Sequence, residues 1–141
     1  MTSVRRYSVI LSTLVAVLAV PTVAQAQEIS VSIDRRATLT PDGSIAFTAR
    51  ISCSLPGSPD FRQGLAGATQ SRTGAAAEGG LSPDIVCDGV ERTYTAGVSV
   101  ITEDAFRRGP AIARASVIAC NTVGEQQVCV QASAQRRVIV R

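Results

Sequence analysis

The chain has 141 residues, 45% hydrophobic and 4% aromatic, with a formal net charge of +3. Its cations are all arginine and are spread along the chain without aromatic platforms between them, which excludes the clustered basic and aromatic surface of a nucleic-acid binder. The lack of histidine and lysine excludes Ser-His-Asp, Cys-His, Ser-Lys and Schiff-base chemistry.

Residues 1–26 read as a cleavable signal peptide. Arg5 and Arg6 precede an apolar stretch over 9–20, and small residues at Ala24 and Ala26 prepare cleavage after Ala26. The surroundings of the arginine pair match a twin-arginine signal poorly, so the general secretory route is expected. The apolar run falls short of the roughly 20 residues that span a bilayer, so no retained membrane anchor is expected. Gln27 follows the cleavage point and the first cysteine is Cys53, so no lipid anchor is expected either. Removing the leader leaves residues 27–141, with twelve arginines against eleven acids, as one small secreted domain of the extracellular space or cell envelope.

Residues 28–33 alternate, with Ile29, Val31 and Ile33 on one face, which predicts a half-buried strand. Pro41-Asp42-Gly43 supplies a turn. Ile45, Phe47, Ala49, Ile51 and Cys53 then share a face in the strongest period-two pattern of the chain. The signal weakens over 54–84. Turn chemistry fills 55–60, a strand is expected near 62–71, and the small-residue stretch 73–80 competes between strand and a helix over 74–78 that its flanking glycines leave too short. Gly64, Gly67, Gly79 and Gly80 lack phosphate-loop spacing and read as flexible backbone.

Cys87-Asp88-Gly89 reads as a short strand closed by an Asp-Gly turn, and Tyr94, Ala96, Val98 and Val100 form the inner face of the next strand over 93–101. Residues 105–110 break the pattern. An extended segment over 111–120 directs Ala113, Ala115 and Val117 inward and Arg114 and Ser116 outward. A reversal over 121–127 leads to short strands at 128–130 and 136–140. About seven strands at turn spacings of roughly 8–12 residues predict an all-β, immunoglobulin-like two-sheet sandwich.

Four cysteines in a short exported chain predict two disulfides, and three pairings are open. Spacing favours Cys120 with Cys129 across a hairpin, leaving Cys53 with Cys87; closing those loops stabilises by about 3 and about 4 kcal/mol on the chain-entropy account. Without histidine or a Cys-x-x-Cys pair, a metal site is not expected. Asp84, Asp88, Glu91, Glu103 and Asp104 are the acids that a two-carboxylate hydrolase could draw on, but they fall in turns and read as solvated. The pairs Arg35-Arg36, Arg107-Arg108 and Arg136-Arg137 read as an anion-binding surface or, more simply, as charge that keeps sheet edges soluble.

The succession of the leader, Asp42-Gly43 before the Cys53 strand, Cys87-Asp88-Gly89, Phe106-x-x-Gly109-x-Ala111-x-Ala113 and the Cys120/Cys129 pair resembles small secreted immunoglobulin-like proteins of actinobacteria whose function is unknown. That resemblance implies fold and export and transfers no site; Tyr94 takes the place of an aromatic that members carry after the Cys-Asp-Gly turn. In length, export and short-range disulfides the chain is also similar to the antitumour-antibiotic chromoproteins, which implies an apolar ligand cleft, although their particular motifs are missing. The expected function is a secreted, non-enzymatic module acting by surface binding to an extracellular or cell-envelope partner, with no cofactor. The alternatives are a secreted protease inhibitor that offers Arg72 as bait and a small-ligand carrier.

Overall fold

A computed structural model describes residues 27–141; the signal-peptide reading of residues 1–26 lies outside the described residues. Seven strands follow one another: β1 (Glu28–Leu39), β2 (Ile45–Ser54), β3 (Ser58–Gln70), β4 (Ala75–Ser82), β5 (Arg92–Val100), β6 (Gly109–Val123) and β7 (Gln126–Val140). They close into a barrel in the order β1-β2-β5-β4-β3-β6-β7. The strands run alternately up and down. The lower end therefore holds Gln27 and the connections 55–57, 83–91 and 124–125, and the upper end holds 40–44, 71–74, 101–108 and Arg141.

The all-β class stands, but the two-sheet sandwich is corrected to a closed barrel. Two pairings make the difference: β3 and β4 form an antiparallel hairpin ladder from Leu65↔Gly80 to Gln70↔Ala75, and β1 meets β7 in a short parallel ladder. Closure requires the sheet to coil tightly, and the glycines read as flexible backbone are where it does so. A Cβ on Gly79 would stand 2.0 Å from the Gly97 carbonyl oxygen, and one on Gly64 would stand 2.9 Å from the Leu81 side chain. Both lie in regular strand, at inward positions where any side chain would push neighbouring strands apart.

Further differences follow from the same region. Residues 75–78 open β4, and no helix forms over the stretch whose flanking glycines leave one too short. No strand ends at Cys87; residues 83–91 form a loop that meets β2 through the Ser54↔Asp88 bridge, the bond from Gly89 N to the Cys53 carbonyl and the Cys53–Cys87 disulfide. The two short C-terminal strands are one continuous strand, β7.

Alternation decides what fills the barrel. Ile45, Phe47, Ala49, Ile51 and Cys53 of β2 and Tyr94, Ala96 and Val98 of β5 are all buried, as are Ala111, Ala113, Ala115, Val117 and Ala119 of β6. Alanine occupies eleven buried positions, which keeps the lumen narrow, and Phe47, Phe106 and Tyr94 supply the bulk that small residues cannot.

A buried amide closes each end. At the upper end Gln70, 1% exposed, donates through Nε2 to the Arg107 and Pro110 carbonyls and accepts from the Arg107 N–H, pinning the 101–108 loop. At the lower end Asn121 donates through Nδ2 to the carbonyls of Leu55, Pro56 and Gly57, while Arg62 donates to its Oδ1 and to the Cys120 carbonyl. These bonds satisfy groups whose burial would otherwise cost about 1–3 kcal/mol each.

Candidate functional site

The β1–β7 seam is not laddered along its whole length. Between Ile33↔Ala49 and Ala37↔Phe47, residues 34–36 of β1 stand opposite Thr48 alone, a bulge that bends the upper part of β1 onto β7. There the parallel ladder forms, through Arg36↔Ile139 and Ala37↔Val140, and continues in bonds from Leu39 N to Arg141 O and from Arg141 N to Ala37 O, both 3.0 Å. Below that level residues 28–33 of β1 have ladder partners only on β2, and residues 126–135 of β7 only on β6. The result is a seam, laddered at the top and unladdered toward the lower end.

Arg136 marks the level where the ladder stops. It occupies an inward position of β7, in register with buried Val138 and Val140, and its Nη1 donates to the Ile33 carbonyl at 2.8 Å. Below it, Val128, Val130, Ala132 and Ala134 of β7 and Ile29 and Val31 of β1 are half-buried along the seam.

Edge strands are ordinarily blunted by charge, proline, bulges or shortness. The stretch Gln126–Gln135 has none of these: it is ten residues long, regular, uncharged and free of proline. Its outward side chains are Gln127, Cys129, Gln131, Ser133 and Gln135. Cys129 is bonded to Cys120, directly opposite on β6, so a covalent clamp on the outer face holds the edge strand to its one neighbour. Gln135 accepts from Arg114 Nε at 3.0 Å and Gln127 donates to Asp60, so the outer side chains also tie β7 back toward the sheet. The strand is therefore held stiffly to β6, while β1 runs beside its other side without a ladder.

The second disulfide joins Cys53, on the inner face of β2, to Cys87, and with the bond from Val86 N to the buried Tyr94 hydroxyl it fastens the 83–91 loop over the lower end. Both bridges follow the pairing favoured by spacing.

The candidate acids are not brought together. Asp84, Asp88 and Glu91 lie in the lower 83–91 loop and Glu103 and Asp104 in the upper 101–108 loop, all exposed. Asp88 receives both Nη groups of Arg92 and the Val90 N–H, and these bonds hold its carboxyl down at about 2, in the ionised form. Such a carboxylate is a salt-bridge partner and does not hold a proton for general acid catalysis near neutrality. Arg72 lies in the tight 71–74 turn at the end of the barrel away from Cys53–Cys87. Of the arginine pairs, Arg35-Arg36 forms the β1 bulge, Arg107-Arg108 lies in the upper loop, and Arg136-Arg137 divides between inward and outward faces. The interior is occupied by two contiguous side-chain clusters. The hollows on the barrel, such as one of about 590 Å3 bordered by Leu65, Ala76, Glu78 and Ile101, lie on its outer surface.

The sequence pattern marked Arg136 only as surface charge and left its inward role unseen, along with Arg62, Asn121 and the unladdered edge. The signal for Arg136 was present: it continues the even-numbered inward series of Val128, Val130, Ala132, Ala134, Val138 and Val140. No family model and no curated protein matches the chain. The two disulfides point to an oxidising environment, and among the described residues no helix is long and apolar enough to cross a membrane.

Proposed function

We propose that this is a secreted, non-enzymatic barrel that acts by surface contact, and that its contact strip is the open edge of β7. The observation that carries the reading is the run Gln126–Gln135, laddered on one side only, lacking the devices that blunt an edge and clamped in place by Cys120–Cys129. Backbone N–H and C=O groups on such an edge recognise another extended strand, with the alternating outward glutamines and serine reading its side chains. The stretch carries no charge, so a partner strand of either sign pays no repulsion to approach it. Secretion fits the disulfides and the leader-like residues 1–26. The resemblance to small exported actinobacterial proteins fits the same setting and names no partner.

The test is a photo-cross-linking side chain at Gln131, compared with the same group at Thr48 on the outer face of β2, in cells that produce the protein. A discrete adduct from position 131, absent from position 48 and lost when Ser133 is replaced by lysine, is the expected result. Turnover of a substrate that disappears on neutralising one of the five candidate acids would overturn the reading.

A further inference from the structure

The barrel is charged oppositely at its two ends. Because the strands alternate in direction, each ionisable residue can be assigned to an end from its position in its strand. The lower end carries Glu28, Asp60, Asp84, Asp88, Glu91 and Glu125 against Arg62 and Arg92, an excess of four negative charges among the described residues. The upper end carries Arg72, Arg107, Arg108, Arg137 and Arg141, joined by Arg35 and Arg36 of the bulge, against Asp34 of the same bulge, Asp42, Glu103 and Asp104, an excess of three positive charges. The near-neutral net charge therefore conceals two opposite poles along the barrel axis.

Each pole also exposes aliphatic side chains. Ile101, 60% exposed, and Ile139 stand at the upper end, and Val90, 55% exposed, stands with Val86 and Val123 at the lower. Exposed apolar groups bordered by charge are the anatomy of an interface, and here the border of one end is complementary to the border of the other.

We infer that copies of this chain associate head to tail, the acidic lower end of one seated on the basic upper end of the next. The occupant of each end is a second copy because both halves of the complementarity are carried by the same molecule. A contact of this kind is heterologous: it uses two different patches and leaves one of each free, so association continues beyond a dimer unless the rotation closes a ring. The β7 edge runs along the side of the barrel and takes no part, so this inference stands apart from the proposed contact strip.

Sedimentation velocity of the purified protein at roughly 10 mM and 500 mM salt is the primary test, since the range of charge attraction shrinks from about 30 Å to only a few ångströms over that span. Low salt is expected to give a sedimentation coefficient that rises with concentration, and high salt a monomer, with the apparent Kd weakened by about tenfold or more. Arg107→Glu with Arg108→Glu removes the upper pole, and Glu91→Arg with Glu125→Arg removes the lower; all four side chains are exposed. Each variant alone is expected to remain monomeric at low salt, and an equimolar mixture of the two is expected to form dimers and nothing larger, through the one intact end that each contributes.

Three results overturn the inference. One is a wild-type monomer at every salt concentration. Another is association that persists in 500 mM salt or in either variant, as pairing through the β7 edge would give. The last is a monomer that pellets with phosphatidylglycerol vesicles, which would make an anionic membrane the partner of the upper end. The wild-type salt series needs no substitution, so it decides the matter even where a variant fails to fold.

Discussion

Arg136 donates through Nη1 to the carbonyl of Ile33 at 2.8 Å, at the level where the β1–β7 ladder gives out. Ile33 is 1% exposed, so the bond satisfies a buried acceptor that the missing ladder would otherwise have served. One guanidinium thus stands where the laddered part of the seam gives way to the unladdered part.

Replacing Arg136 with alanine leaves that carbonyl without its donor and is expected to cost about 1–3 kcal/mol. Urea denaturation measures the loss. Hydrogen exchange should show it concentrated in residues 28–33, with β3 and β4 unaffected.

Barrel closure makes Gly79 and Gly97 unequal. A Cβ on Gly79 would overlap the Gly97 carbonyl oxygen at 2.0 Å, whereas one on Gly97 meets nothing within 4 Å. Gly79→Ala is therefore expected to destabilise by about 3 kcal/mol, through forced separation of β4 from β5. Gly97→Ala is expected to change stability by less than about 0.5 kcal/mol. Thermal melts of the two variants side by side check the contrast.

That contrast also marks what was legible in the sequence. Alternation at Ile45 to Cys53, at Tyr94 to Val100 and over 111–119 gave the correct inward faces, because a strand buried on one side writes its environment into every second residue. Closure leaves no such local trace. Arg36 and Ile139 pair across almost the whole length of the described residues, and the glycines that permit the coil have no side chain with which to announce a face. The open edge was illegible for a related reason: a run of glutamine, serine and alanine looks alike whether a second neighbour is present or missing.

The two disulfides differ in exposure. Cys53 is fully buried, while Cys129 is exposed on the outer face of β7. A mild thiol reductant is expected to open Cys120–Cys129 first and Cys53–Cys87 only as the barrel unfolds. Alkylation and mass mapping over a reductant series follows the order. Removing Cys53–Cys87 should also be the more costly change, by about 1 kcal/mol, since it closes the longer loop.

Asp88 supplies the clearest dependence on pH. Its carboxyl is held at about 2, below the ordinary 3.8, first by the hydrogen bonds from Arg92. A depressed carboxylate favours the folded state above its unfolded pKa, and that contribution fades as pH falls through the folded value. The difference in melting temperature between wild type and Asp88→Asn should therefore be constant above about pH 5, shrink progressively below it, and vanish only below about pH 2. A carboxyl titration by NMR locates the midpoint directly.

The proposed contact strip requires β7 to be paired on one side only through its lower half. Amide hydrogen exchange resolved residue by residue tests this, because successive N–H groups of a strand point to opposite neighbours. Along residues 126–135 alternate amides are expected to exchange far faster than those between them, while residues 111–119 of β6, flanked by β3 and β7, are protected throughout. Uniform protection of residues 126–135, matching that of β6, would show the seam to be laddered shut and would contradict the proposed contact strip.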